Sequence, residues 1–426
     1  MKKILGLILL FGIAVNAMSQ IDVKSKYINL PNLSGLNNIY IFEKIDNSTE
    51  IHFTAANASQ VVKWYTFLNG VKTEITNVST LSPTETYIDP IDKTGYIIEV
   101  DGQKVSSCWV FDYSKYNATI QSVVAADGVS LCSETNVTIQ AQVPSFEYQN
   151  VLGSNFKLNR AFNINYTTLE WSDSNWKEIK KDTTVFLPRT TDVVIPSPLT
   201  HTTFLVTGDE FATQLGLEGV SATSNMYTTK AVKCKITSIT STVRKEFTNE
   251  NNRPVAETQL EGSAPLDVNF YSNPTPAVNT YSWKIFKDNS NTPFITRADK
   301  DNSYTFTQYG HYKVEVTVSN QYCSYADTIS VDVSESKLMV PRIFTPNGDG
   351  IQDEFKVAYQ SIIQFNAVVL NRWGRRLFTW TDPARGWDGT IKGKEVSNGA
   401  YYYIINAVGS EGKKYKLKGC INLLRD

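Results

Sequence analysis

Three features of this 426-residue chain predict an all-β fold of tandem immunoglobulin-like sandwiches. Almost every segment is a short run of β-branched and aromatic residues, broken by Asn, Gly, Asp, Ser or Pro. No stretch of helical length keeps apolar residues at i, i+3 and i+4. A unit also recurs, in which a Trp in a strand-like run is followed about thirty residues later by an aromatic in an alternating strand: Trp64 and Tyr96, Trp171 and Phe204, Trp283 and Tyr312. A core Trp facing a second sheet is how such a sandwich fills its centre.

The chain opens with Lys2 and Lys3, an apolar run from Ile4 to Val15, and small residues at Ala17 and Ser19. These are the regions of a secretory signal peptide over residues 1–19, with cleavage before Gln20. The apolar run is too short to span a bilayer, and no Cys stands beside the cleavage point to carry a lipid. Three sandwich-sized units then occupy 20–116, 117–240 and 241–337, and a last domain occupies 338–426. In the first unit, Gly95-Tyr96-Ile97-Ile98-Glu99-Val100 reads as the strand facing Trp64. In the third, Tyr312, Val314, Val316 and Val318 share one strand face, with Lys313, Glu315 and Thr317 on the other, the period of a half-buried strand.

Lys and Arg number 41 against 42 Asp and Glu, a formal net charge of -1. That leaves no global basic field for nucleic acid or anionic lipid. The five cysteines are Cys108, Cys132, Cys234, Cys323 and Cys420, so at most two disulfides form within the chain in an oxidising compartment. Cys132 and Cys234 lie in strand-like runs near the two ends of the second unit, and a Cys132–Cys234 bridge is the expected pairing. The alternative is that the cysteines pack as small buried hydrophobes.

The third unit carries Ser263-Ala264-Pro265-Leu266-Asp267-Val268-Asn269-Phe270, then Tyr281-Ser282-Trp283, Tyr304-Thr305-Phe306 and the strand Tyr312–Asn320. With these it resembles a PKD domain. It departs after the Trp, where that family usually has a Gly-Asp-Gly turn and this chain has Lys284-Ile285-Phe286-Lys287-Asp288.

The last domain contains Pro341-Arg342-Ile343-Phe344-Thr345-Pro346-Asn347-Gly348-Asp349-Gly350-Ile351-Gln352-Asp353, Asn371-Arg372-Trp373-Gly374 and Gly386-Trp387-Asp388-Gly389. Asn398-Gly399-Ala400-Tyr401-Tyr402-Tyr403 and Lys418-Gly419-Cys420-Ile421-Asn422-Leu423-Leu424-Arg425 complete it. In this order the motifs resemble the type B C-terminal sorting domain of type IX secretion substrates, also called the gliding-motility-associated C-terminal domain. The resemblance implies a small β-sandwich, export through the outer membrane, and display at the cell surface or release. It also implies the type IX translocon and outer-membrane shuttle or anchor proteins as partners. Cys420 departs from the small residue the family commonly has there, and Asp426 extends past its usual terminal Arg.

Three constellations are candidate sites. Arg372, Trp373, Arg375, Arg385 and Trp387 combine aromatic and Arg side chains with glycines, the composition of an interface hot spot; the alternative is that both Trp rings fill the domain's own core. Asn347, Asp349, Ile351 and Asp353 have the alternating oxygen spacing of a calcium loop, although the residue at the EF-hand's twelfth position, Ala358, cannot ligate, and a plain Asx/Gly turn is the alternative. Asp173, Trp176, Lys177, Glu178, Lys180, Lys181 and Asp182 form a charged stretch that reads as a solvated hairpin or a contact surface.

Catalysis finds little footing. The three histidines, His52, His201 and His311, fall in three different units. Gly-x-Ser-x-Gly, His-Glu-x-x-His, Cys-x-x-Cys and P-loop patterns are all missing. Paired carboxylates for glycoside hydrolysis converge only in three dimensions and stay open. The expectation is a non-enzymatic exported protein with no cofactor unless calcium binds. It is either an accessory subunit held at the secretion or gliding apparatus or an adhesin-like surface protein that meets an extracellular glycan or protein, with a secreted enzyme as the third reading.

Overall fold

A computed structural model describes residues 20–187, 190–240 and 260–425. The signal-peptide reading of residues 1–19 therefore lies outside the described residues. The described residues are almost wholly antiparallel strands, with one short helix, Glu210–Gln214, and a 3-10 turn at Tyr113–Lys115.

The first sandwich packs a four-stranded sheet, whose inner strands are Glu50–Thr54 and Glu85–Ile88, against a six-stranded sheet centred on Gln103–Asp112 and Thr94–Val100. Trp64 stands beside Ile98 on the neighbouring strand of the six-stranded sheet and not on the facing one, and it fills the space between the sheets at 0% exposure, with Phe42, Phe53 and Tyr96 around it. Its indole N–H donates to Thr86 Oγ1 at 3.0 Å, as a buried Trp requires. From Ser106 to Asp112 the central strand is buried at every residue, because both faces of its sheet are covered.

The second sandwich pairs Thr119–Asp127, Glu134–Gln142 and Thr190–Pro196 in one sheet, and Asn175–Phe186, Ala161–Ser172, Leu205–Gly208 and Val220–Thr223 in the other. Phe162, Ile164 and Phe204 form its centre. The expected core Trp is not there. Trp171 sits at the end of the long Ala161–Ser172/Asn175–Phe186 hairpin, opposite Trp176. The hairpin outruns the sandwich, so its tip leaves the core, and the Trp176 indole donates to Asn273 O of the third sandwich at 2.8 Å.

The third sandwich reproduces the expected alternation: Tyr312, Val314, Val316 and Val318 are buried against Trp283, Phe270 and Phe306. The turn that departs from the PKD pattern is closed by Ser290 N–H donating to Lys287 O. Asp288 and Asn289 there adopt left-handed backbone, each with φ 47, a conformation short polar residues tolerate. The sheet also takes in Thr237–Thr240, which pairs with Leu266–Tyr271. This corrects the boundary at 240, since chain read as the end of the second unit belongs to the third.

The same crossing overturns Cys132–Cys234. Cys234 bridges Pro274 in the third sandwich and is buried in that core, out of reach of Cys132. Cys132 is instead bonded to Cys323, with Cα atoms 5.5 Å apart, which fits disulfide geometry. The bond therefore staples the second sandwich to the third. Cys108 and Cys234 are buried thiols and Cys420 is an exposed one.

The last domain is a five-stranded sheet in the order Ile343–Phe344, Lys414–Leu423, Gly399–Gly409, Ile362–Leu370, Arg376–Trp380. Two short ribbons, Lys337–Met339 with Ala358–Gln360 and Thr390–Ile391 with Lys394–Glu395, lie outside that sheet. Phe344, Phe355, Trp380 and Trp387 make the core.

Candidate functional site

The motif runs of the last domain are turn and closure devices before they are anything else. At Asn371–Arg375 the Asn371 side-chain oxygen accepts from the amides of Trp373 at 3.1 Å and Arg375 at 2.9 Å, an Asx turn. Gly374 completes it with φ 78, a value only Gly reaches without cost. This tight corner thrusts Trp373 outward to 75% exposure. The Arg372 guanidinium lies 4.4 Å from the centre of its ring.

Trp387 is its opposite. It is 0% exposed, edge-on to Tyr401 with ring centres 5.1 Å apart, and its indole donates to Thr390 O at 2.8 Å. The contact-or-core alternatives thus divide, with Trp373 presented and Trp387 in the core. Arg372, Trp373 and Arg375 share one hairpin turn. Arg385 sits on a separate loop, exposed, with Nε 3.8 Å from Asp382.

One functional-looking residue was missed by composition reasoning. Arg425 runs back across the domain, donating to Val396 O at 2.7 Å and Gly389 O at 3.0 Å. Its backbone N–H is received by Asn398 Oδ1, and Asn398 Nδ2 returns a bond to Arg425 O. Arg425, the Gly386–Gly389 run and the Asn398 turn are therefore one clasp. Their joint presence at the ends of separate segments was the signal that could have found it.

In the loop that offers the calcium spacing, the side-chain oxygens are engaged in the turn itself. Asp353 Oδ1 accepts from the amides of Asn347 and Gly348, and Oδ2 accepts from Gly350. Asp349 Oδ2 takes the Asn347 side-chain N–H. The Gly348, Gly350 and Asn347 amides hold the Asp353 carboxyl below its usual range, which is the behaviour of a carboxylate used to build a turn. Asn347, Asp349, Ile351 and Asp353 thus form an Asx/Gly turn. Among the described residues no cluster of three His, Cys, Asp or Glu is placed to hold a metal.

Where the last domain meets the third sandwich, hydroxyls dominate. Glu411 accepts from Ser336 N–H and Ser336 Oγ, Tyr415 Oη donates to Ser336 O, and Ser361 Oγ accepts from Ala264 N–H. Of the histidines, His52 lies between Glu50 and Glu85, His201 accepts from Thr229 N–H, and His311 faces Asp332. They remain in separate places, as their spacing implied. In the charged hairpin, Lys177 pairs with Asp173, and Trp176 makes the contact to the third sandwich.

The clasp joins in space the motifs that carried the resemblance, and comparison with known families decides what they are. Residues 338–423 match the type IX secretion signal domain. This signal domain directs export to the cell surface or release. Residues 124–224 match the fibronectin type III domain, a closer description of the second sandwich than generically immunoglobulin-like. No curated protein matches the chain. Among solved structures, immunoglobulin domains 1–5 of Sidekick-1 are 10% identical over 86% of this chain and 74% of that one, with a TM-score of 0.24. A calcium-stabilised, ice-binding adhesin of an Antarctic bacterium is 13% identical over 89% of this chain and 94% of that one, at 0.19. No helix among the described residues is long and apolar enough to cross a membrane.

Proposed function

We propose that the chain is a non-enzymatic binding subunit, exported by its signal domain and held at the secretion or gliding apparatus at the outer membrane. The observation that carries the reading is the match over residues 338–423. The junction geometry supports retention rather than release. A signal made to be cut away is best presented on a free linker, yet this domain is hydrogen-bonded into its neighbour through Ser336, Ser361, Glu411 and Tyr415. The Cys132–Cys323 bond ties the second sandwich to the third in the same way. The PKD-like reading of the third sandwich fits this role as a rigid spacer.

A gentle-detergent pull-down of the full chain from native membranes tests the proposal. Translocon components should co-purify in fixed ratio with it after extensive washing. Recovery of the chain alone, or in the medium without its signal domain, would favour the alternative of adhesin-like surface cargo for a glycan or protein ligand.

A further inference from the structure

Four cations on the signal domain's sheet are without an ion-pair partner among the described residues. Some lysines on other exposed strands face carboxylates: Lys63 pairs with Glu74, Lys72 with Glu99 and Lys157 with Glu147. Lys414, Lys416 and Lys418 alternate along Lys414–Leu423, all exposed. Arg376 lies on the strand at the far edge of the sheet. None of the four has an ion-pair partner among the described residues, and the five strands present no Asp or Glu on this face.

The register places apolar side chains between these cations. Residues opposite one another on neighbouring strands point the same way. Arg376, Leu370, Tyr402 and Cys420 form one row across the sheet. The next runs through Val368 and Ile404 to Lys418, and the one after through Asn366 and Asn406 to Lys416. Tyr402 is 46% and Ile404 44% exposed. A shallow groove of about 350 Å³ lies across Asn366, Asn406 and Lys416. Inward-facing residues of the same strands, such as Ile405, Ala407 and Ile421, are buried, so the apolar outer rows are additional to the core.

We propose that this outward sheet face is a docking surface for an acidic protein face with an apolar centre, belonging to the export machinery. The inference rests on the sorting role of the domain. An apolar middle with cations at its margin is the anatomy of a protein interface. Its unpaired lysines would find their counter-charges across that interface, which raises the association rate and fixes orientation. A protein face is favoured over a lipid surface because Asn366 and Asn406 lie in the row that ends at Lys416, and once water is excluded from an interface their amides take hydrogen-bond partners that acyl chains do not offer.

The test uses the full chain with its native leader, in a bacterium with a working type IX system. Lys416→Glu with Lys418→Glu should reduce surface-exposed protein, read by protease access to intact cells, by about tenfold. The missing protein should be recovered from the periplasm with an unchanged Tm. The paired Lys→Gln variant should lose less, and the paired Lys→Arg variant nothing. Normal surface delivery of the Glu variant, alongside arrest of a chain truncated before Leu338, would overturn the face and leave the sorting role standing. Delivery of the truncated chain would overturn both. Lysine-dependent sedimentation of the purified chain with phosphatidylglycerol vesicles would reassign the face to lipid and overturn the protein partner.

Discussion

The junction between the first and second sandwiches and the junction between the third sandwich and the signal domain are made of different materials. At the first, Phe146 of the second sandwich is 0% exposed among Phe111, Tyr116 and Phe211, with its ring centre 4.4 Å from that of Tyr116. Helix Glu210–Gln214 adds Phe211 and Ala212 to the same cluster. Within it Arg160 pairs with Asp209, both essentially inaccessible. Tyr113 Oη also donates to Asp209, and Arg160 donates to Tyr116 O and Pro144 O. At the last junction the contacts are hydroxyls, the Glu411 carboxylate, the Gln360 amide and backbone. An apolar core with a buried ion pair binds two units into one cooperative body, whereas a belt of hydrogen bonds orients a domain without fusing it to its neighbour. The signal domain has its own core and meets its neighbour through polar contacts.

The largest effect expected from this difference comes from Asp209→Asn. Removing one partner of a buried pair leaves Arg160 uncompensated, at a cost of about 3–5 kcal/mol. Urea denaturation should show the first and second sandwiches losing stability together. A transition of the first sandwich that keeps its midpoint while the second weakens would mean that the shared core does not couple them.

That shared core also marks the limit of what the sequence discloses. The alternation of Tyr312 to Val318 and the Trp283 position were legible, because a strand's face is encoded within a few residues. The ordered signal-domain motifs were legible for a similar reason: each turn carries its own Asn, Asp or Gly. Phe146, Arg160, Asp209 and Phe211 carry no local pattern, since they meet across a domain boundary and only the tertiary fold brings them together. Cys132 and Cys323 were unreadable as a pair on the same grounds, being 191 residues apart. Trp171 misled because spacing along the chain says nothing of whether a hairpin extends past its core.

A smaller effect is expected at the last junction. Burial raises the Glu411 carboxyl pKa, but hydrogen bonds from Ser336 outweigh it and leave the group below its ordinary value of 4.5. A lowered folded pKa contributes stability that is present above the unfolded value and is lost as pH falls through the folded one. Acid below pH 4.5 should therefore loosen this junction. Glu411→Gln should cost about 1 kcal/mol at neutral pH and remove that acid dependence, read from the Trp fluorescence transition of the signal domain. An acid profile unchanged by the substitution would assign the sensitivity elsewhere.

The smallest effect should be at Trp373, and its smallness is informative. The ring is 75% exposed, and the Arg372 guanidinium stacks on it. An exposed stack of this kind contributes at most about 0.5–1 kcal/mol, and Trp373→Ala removes no core volume. The turn itself is held by Asn371 and Gly374, so the backbone should survive the substitution. Trp387→Ala serves as the contrast, because emptying a fully buried site costs about 3–5 kcal/mol. Thermal denaturation of the two variants should separate them widely. A Trp373→Ala protein that melts like the parent but reaches the cell surface less well would place this hairpin in the contact made during export. One that melts like Trp387→Ala would show instead that the hairpin tip supports the fold, and would remove it as a recognition element.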